Sequence, residues 1–142
     1  MSPMRLSIRN QIPGTVTAIT PGEVMATVKV RLNGGQEITA AITLESAEEL
    51  GLAAGTAVRA LVKSTEVSLA TAPVEGLSIR NQLPGTVTHV TTGGAMASVK
   101  VAVDGGALTS AITKDAVTDL ALATGTPVVA LIKSTEISLA TA

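Results

Sequence analysis

The sequence predicts an all-β protein built as two tandem small Greek-key β-barrels, each with one short helix. The first observation behind this is an internal repeat: Leu6 to Val16 reads LSIRNQIPGTV, and Leu77 to Val87 reads LSIRNQLPGTV. The second is period, since in each copy apolar residues alternate with polar ones, the mark of half-buried strands. The third is punctuation by Gly, Pro, Asn and Asp, which cuts the alternating runs into several short strands.

Two copies of one unit fill the chain. Asn33-Gly34-Gly35 matches Asp104-Gly105-Gly106, and after a one-residue deletion Ala41-Ile42-Thr43 matches Ala111-Ile112-Thr113. Lys63-Ser64-Thr65-Glu66-Val67 then matches Lys133-Ser134-Thr135-Glu136-Ile137. Thr71 to Gly76, carrying Pro73 and Gly76, is the expected joint, which places domains at residues 1–72 and 73–142.

Along one unit, the segment from Leu6 reads as a strand, with Pro13-Gly14 as a turn. Val28, Val30 and Leu32 alternate with Thr27, Lys29 and Arg31 and run into Asn33-Gly34, a dipeptide suited to a tight hairpin because both positions tolerate positive φ. Val99, Val101 and Val103 lead into the same hairpin in the second unit, and the deletion is expected to shorten the strand before Ala111. A short helix is predicted over Leu44 to Leu50, with Thr43 as N-cap, Glu45 near the positive helix end and Gly51 as terminator. Thr113, Asp115, Asp119 and Leu120 repeat that logic. After it Val58, Ala60 and Val62 share one face, as do Val67 and Leu69, but the spacing from Val62 to Val67 is odd. A change of strand parity requires a bulge or turn around Lys63-Ser64-Thr65, and the second unit shows the same break around Lys133. Five short strands and one helical turn per unit suit a barrel of the oligonucleotide/oligosaccharide-binding type.

Composition narrows the possible roles. The 142 residues carry a net charge of −1, are 46% hydrophobic, and include no Cys, Phe, Trp or Tyr. Without thiolates or a partner for the single His89, no metal-ligand set is visible, and His89 reads as a surface strand residue. A nucleic-acid-binding barrel would need a basic groove and stacking aromatics, and the chain has neither. Catalysis would need an activated nucleophile or an acid/base pair, and there is no Ser/His/Asp set or Gly-rich phosphate loop, so no catalytic residue is assigned. No apolar run is long enough for a membrane helix, and Met1-Ser2-Pro3-Met4 lacks a secretory start, so the expectation is a cytoplasmic protein without a membrane partner. Units of roughly 60 residues bury only about 60% of their surface. Aromatics would each bury about 150 to 250 Å². Their absence leads us to expect the two units to pack on each other and the chain to form an obligate oligomer.

The polar residues that are copied point to an anion. In a strand Ser7 and Arg9 would share a face, presenting a hydroxyl beside a guanidinium, with Asn10 following; Ser78, Arg80 and Asn81 repeat the arrangement. The predicted break at Lys63-Ser64 and Lys133-Ser134 adds a lysine, hydroxyls and unpaired backbone N–H groups. Of the cations, only Arg9/Arg80, Lys63/Lys133 and Lys29/Lys100 recur, and Lys29 and Lys100 read as solvated faces of hairpin strands. One Arg and one Lys per unit can neutralise a dianion while Ser, Thr and backbone groups donate to its oxygens. A donor-only site favours a fully deprotonated tetrahedral oxyanion such as molybdate, tungstate or sulfate over monohydrogen phosphate, which needs an acceptor. Glu66 and Glu136 would weaken that preference if they pointed inward.

At these residues a family becomes visible. Ser-x-Arg-Asn, Pro-Gly-Thr-Val, a hairpin, Ala-Ile-Thr and a terminal Lys-Ser-Thr-Glu-Val together resemble the Mop domain of the molbindins, and the tandem arrangement resembles their di-Mop members. The resemblance implies trimer assembly and reversible binding of molybdate or tungstate for intracellular storage and buffering, with sites at interfaces between Mop domains. By motif it implies Ser7, Arg9 and Asn10 from one domain with Thr43, Lys63 and Ser64 from a neighbour, and likewise Ser78, Arg80 and Asn81 with Thr113, Lys133 and Ser134. Because Ser46 becomes Ala116 and Gly51 becomes Ala121, unequal affinities of the halves are expected.

Plainer readings stand beside these. Ser-x-Arg-Asn before Pro-Gly is also what an exposed strand entering a turn looks like. Thr43 and Thr113 are fully explained as helix caps. The alternative function is a regulatory or structural module, like related barrels on transport ATPases, assembling on a protein partner with or without a small ligand. The absence of an attached ATPase or DNA-binding segment argues for a stand-alone binder.

Overall fold

The computed structural model describes residues 5–141; Met1 to Met4, where no secretory start was expected, lie outside the described residues. The first half runs β1 (Asn10–Pro21), β2 (Met25–Leu32), β3 (Glu37–Thr43), α1 (Leu44–Glu49), β4 (Ala57–Val62), a 3-10 turn (Ser64–Glu66) and β5 (Ser68–Ala70). The second half repeats it as β6 (Asn81–Thr92), β7 (Met96–Val103), β8 (Gly106–Thr113), α2 (Lys114–Asp119), β9 (Pro127–Ile132), a 3-10 turn (Ser134–Glu136) and β10 (Ser138–Thr141).

Two antiparallel five-stranded sheets result, curled into half-barrels, with strand orders β10-β4-β1-β2-β3 and β5-β9-β6-β7-β8. The run β4-β1-β2-β3 is Greek-key order, the fourth strand returning beside the first. The fifth strand of each sheet comes from the other half: Leu139 pairs with Ala60, and Leu69 pairs with Ala130. The halves therefore exchange their last strands, and one apolar cluster draws on both, from Ile12, Val28 and Val30 to Val99, Val101 and Leu139. The parity change after Val62 has its cause here. The chain leaves one sheet through a 3-10 turn and enters the other, so the residues on either side of Lys63 face different surroundings.

Local expectations fare unequally. β2 alternates as the period required, with Ala26, Val28, Val30 and Leu32 buried. β4 does not, since Arg59 and Leu61 are buried along with Val58, Ala60 and Val62. The first hairpin is wider than expected, and the second is tight as expected. In the first half four residues separate β2 from β3, Leu32 N–H donates to Gln36 O, and only Gly35 has positive φ, at 100°. In the second, Asp104-Gly105 alone connects the strands and Gly105 takes φ 82°. The deletion thus removes loop rather than strand, and β8 has 8 residues against 7 in β3. Pro13-Gly14 is no turn either: both residues lie inside β1, where Gly14 pairs with Leu32 on one side and Val58 on the other. The requirement on glycine is one of space, because a Cβ there would lie 2.7 Å from Arg31 O.

The helix was legible and is capped as expected, with Thr43 Oγ1 accepting from Ser46 N–H at 3.1 Å and Thr113 Oγ1 accepting from Ala116 N–H at 3.1 Å. Gly51 follows the first helix with φ 61°, and its counterpart Ala121 is forced to φ 52°. The left-handed region costs a side-chain-bearing residue about 1 to 2 kcal/mol. Glycine returns about 0.4 to 1 kcal/mol of that through the freedom of the unfolded chain. Ala121→Gly should therefore stabilise the protein by roughly 0.5 kcal/mol in denaturant unfolding; a loss of stability would show that the αL position is not strained.

Candidate anion-binding site

The β1/β4 register assembles the cations. Asn10 pairs with Val62 as the last pair of that ladder, so Arg9 and Lys63 emerge side by side from the same end. Asn81 pairs with Ile132 and does the same for Arg80 and Lys133. Neighbouring strands run about 5 Å apart, within reach of one tetrahedral anion for both long side chains. Arg9, Lys63, Arg80 and Lys133 are all exposed, which leaves their charged heads available.

Each lysine precedes a 3-10 turn. In the first, Glu66 N–H donates to Lys63 O at 2.9 Å and Val67 N–H to Ser64 O at 3.4 Å, so the Ser64 and Thr65 N–H groups stand outside the turn's own bonding. Glu136 and Ile137 bond Lys133 and Ser134 in the same way. Ser64 and Ser134 are half-buried, as are Glu66 and Glu136. Each end therefore offers a guanidinium, an ammonium, a hydroxyl and main-chain donors.

Other site residues lie differently from the sequence expectation. Ser7, Arg9, Ser78 and Arg80 precede their strands instead of belonging to them, and both serines are exposed. The alternation argument for a shared face does not apply there; proximity comes from the neighbouring ladder. Thr43 sits at the far end of β3, opposite Met25, and Thr113 at the far end of β8, opposite Met96. The first 3-10 turn packs against β8 and the second against β3, so Lys63-Ser64 neighbours the strand carrying Thr113, and Lys133-Ser134 the strand carrying Thr43. Thr43 Oγ1 is occupied by its cap and also donates to Ser46 Oγ at 2.7 Å. Thr43→Ala should cost about 1 kcal/mol of stability while leaving anion affinity unchanged in a titration; a matching loss of affinity would make Thr43 a ligand.

Asn10 and Asn81 are buried, each only 3% exposed. Asn10 Nδ2 donates to Thr109 O at 2.9 Å, and Thr109 N–H donates to Asn10 Oδ1 at 2.7 Å. Asn81 makes the same pair with Thr39, at 2.8 Å both ways. Sequence gave no signal for these partners, which lie in the other half.

Elsewhere, a cleft of about 650 Å³ beside α1 is lined by Glu23, Glu45, Glu48 and Glu49 with Val24, Thr43 and Leu44, a carboxylate-rich wall that repels an oxyanion. Among the described residues no group of three or more His, Cys, Asp and Glu is placed to hold a metal ion, and no helix is long and apolar enough to cross a membrane.

The chain matches the TOBE domain twice, over residues 6–69 and 77–139. A crystal structure of the cytoplasmic molybdate-binding protein ModG, with molybdate bound, superposes with a TM-score of 0.94 at 44% identity, covering 98% of this chain and 100% of that one. The molybdenum transport protein ModE of Azotobacter vinelandii is 42% identical over 138 residues, 96% of this chain and 51% of its own. Molybdenum-pterin-binding protein 2 of Clostridium pasteurianum is 44% identical over 66 residues, 97% of its length and 46% of this chain. The chain spans about half the length of the first curated relatives it matches.

Proposed function

Since the chain belongs to the TOBE-domain family, as two Mop-type domains in tandem, we propose that it binds molybdate and tungstate reversibly and stores and buffers them in the cytoplasm. The observation that carries this reading is the repeated strand end that sets one Arg and one Lys beside a 3-10 turn with free N–H groups, Arg9 with Lys63 and Arg80 with Lys133. Such a set neutralises a dianion and surrounds it with donors. Its residues are Ser7, Arg9, Lys63 and Ser64 with the strand of Thr113, next to Asn10, and Ser78, Arg80, Lys133 and Ser134 with the strand of Thr43, next to Asn81. No step of bond making is needed, and we read the protein as a binder rather than an enzyme. The bound species is the oxyanion, held by hydrogen bonds and charge with no protein ligand on the metal.

Sites exposed at strand ends are completed by packing against further domains, which is why we place them in a homo-oligomer, a trimer by resemblance. Val24, 73% exposed, with Met25 and Met96, gives such an assembly apolar surface to cover. A ligand that binds only the folded assembly stabilises it by about 2.7 kcal/mol at a hundredfold excess over Kd. Molybdate should then raise the melting temperature by roughly 5 to 10 °C; an unchanged melting temperature would count against the reading. The match to about half of the transcriptional regulator ModE of Yersinia pestis, 36% identical over 140 residues, favours a second reading, the ligand-binding module of a regulator, which recovery of a stoichiometric protein partner would support.

A further inference from the structure

The two buried asparagines have a role that their place in the anion motif obscures. β8 and β3 are edge strands, and an edge strand presents main-chain N–H and C=O groups with no strand to receive them. Asn10 meets both groups of Thr109, and Asn81 both groups of Thr39, at 2.7 to 2.9 Å. A carboxamide is the side chain that donates and accepts at this spacing, so each asparagine stands in for one residue of a missing strand. Aspartate would turn a charge toward a carbonyl, and alanine would leave the N–H and C=O of a half-buried threonine without this partner.

Each asparagine is also the first residue of its strand, directly after Arg9 or Arg80 and opposite the residue before Lys63 or Lys133. We propose that Asn10 and Asn81 are positioning residues: each latches its strand end to the other half's edge strand and so fixes where the adjacent arginine meets the anion. The acceptor Oδ1, which would repel an oxyanion, faces Thr109 or Thr39 N–H, in keeping with this role. This inference rests on the anion-binding reading above.

The test is a double-mutant cycle in the full-length protein, titrated calorimetrically with sodium molybdate, on wild type, Arg9→Ala, Asn10→Ala and the double variant, with Arg80 and Asn81 as an independent second cycle. Asn10→Ala should weaken the Arg9 sites about tenfold and add nothing once Arg9 is gone. Additive losses would make Asn10 a direct ligand and overturn the proposal, as would unchanged affinity in Asn10→Ala. Amide hydrogen exchange without ligand supplies a second readout. Thr109 should be protected in wild type and exchange faster in Asn10→Leu, which keeps the side chain's size but can neither accept from Thr109 N–H nor donate to its carbonyl; equal protection would also overturn the latch. Silence of wild type toward molybdate would sink the binding reading and the positioning role with it, whereas binding by wild type with a failed cycle would sink the positioning role alone.

Discussion

Gly85→Ala is expected to cost stability out of proportion to one added methyl group. Gly85 lies inside β6, paired with Val103 on one side and Val128 on the other, so neither neighbour is free to move away. A Cβ there would sit 2.4 Å from Ala102 O and 2.7 Å from Val101 Cγ1, distances that real carbon atoms do not tolerate. Relief requires the central strand to shift, and overpacking of this kind costs about 1 to 3 kcal/mol, with backbone clashes at the upper end. For a chain of this size that lowers the melting temperature by roughly 5 to 10 °C. Gly55→Ala separates space from backbone conformation, since Gly55 takes φ 96° with nothing within 4 Å of its missing Cβ. The two variants should both be destabilised, Gly85→Ala the more. Equal melting temperatures for Gly85→Ala and wild type would show that the strands have room the structure denies them.

Arg9→Ala is expected to divide the binding sites into two classes. Hydrogen bonds to charged groups contribute about 1.5 to 3 kcal/mol each. Losing the guanidinium should therefore raise Kd at the Arg9 sites by roughly 10- to 150-fold. Sites built on Arg80 should keep their affinity, because Arg80 leaves the other sheet beside its own lysine, Lys133. A titration of Arg9→Ala should accordingly resolve a weakened and an intact class, and Arg80→Ala the converse. Loss of every site in Arg9→Ala would mean that assembly of the protein, not contact with the anion, depends on this arginine.

What could be read from sequence was what depends on near neighbours. Thr43 and Thr113 announced their caps because the N–H groups they satisfy lie three residues on. The alternation of Ala26, Val28, Val30 and Leu32 announced a strand because its period is a property of the strand itself. The odd spacing from Val62 to Val67 showed that the chain turns, but not that β5 then joins the other half's sheet, since parity records a change of face and not its destination. Pro13-Gly14 reads locally as a turn, whereas the demand on Gly14 comes from Arg31 across the sheet. Asn10 finds its partner 99 residues away. The copied cations were legible as a set because they recur, while their adjacency is a consequence of strand register that no spacing along the chain encodes.

These two strand ends, Arg9 with Lys63 and Arg80 with Lys133, should bind a dianion selectively. Calorimetric titration of the purified protein with molybdate, and in parallel with sulfate and phosphate, tests this most directly, because a chain with no Trp or Tyr has no intrinsic fluorescence to follow. Tight binding of at least one molybdate per chain, with little heat from phosphate, is the predicted result, and the sulfate titration separates recognition of size from recognition of charge. Silence toward all three anions would contradict that prediction, leaving the repeated Ser-x-Arg-Asn as an element of the fold alone.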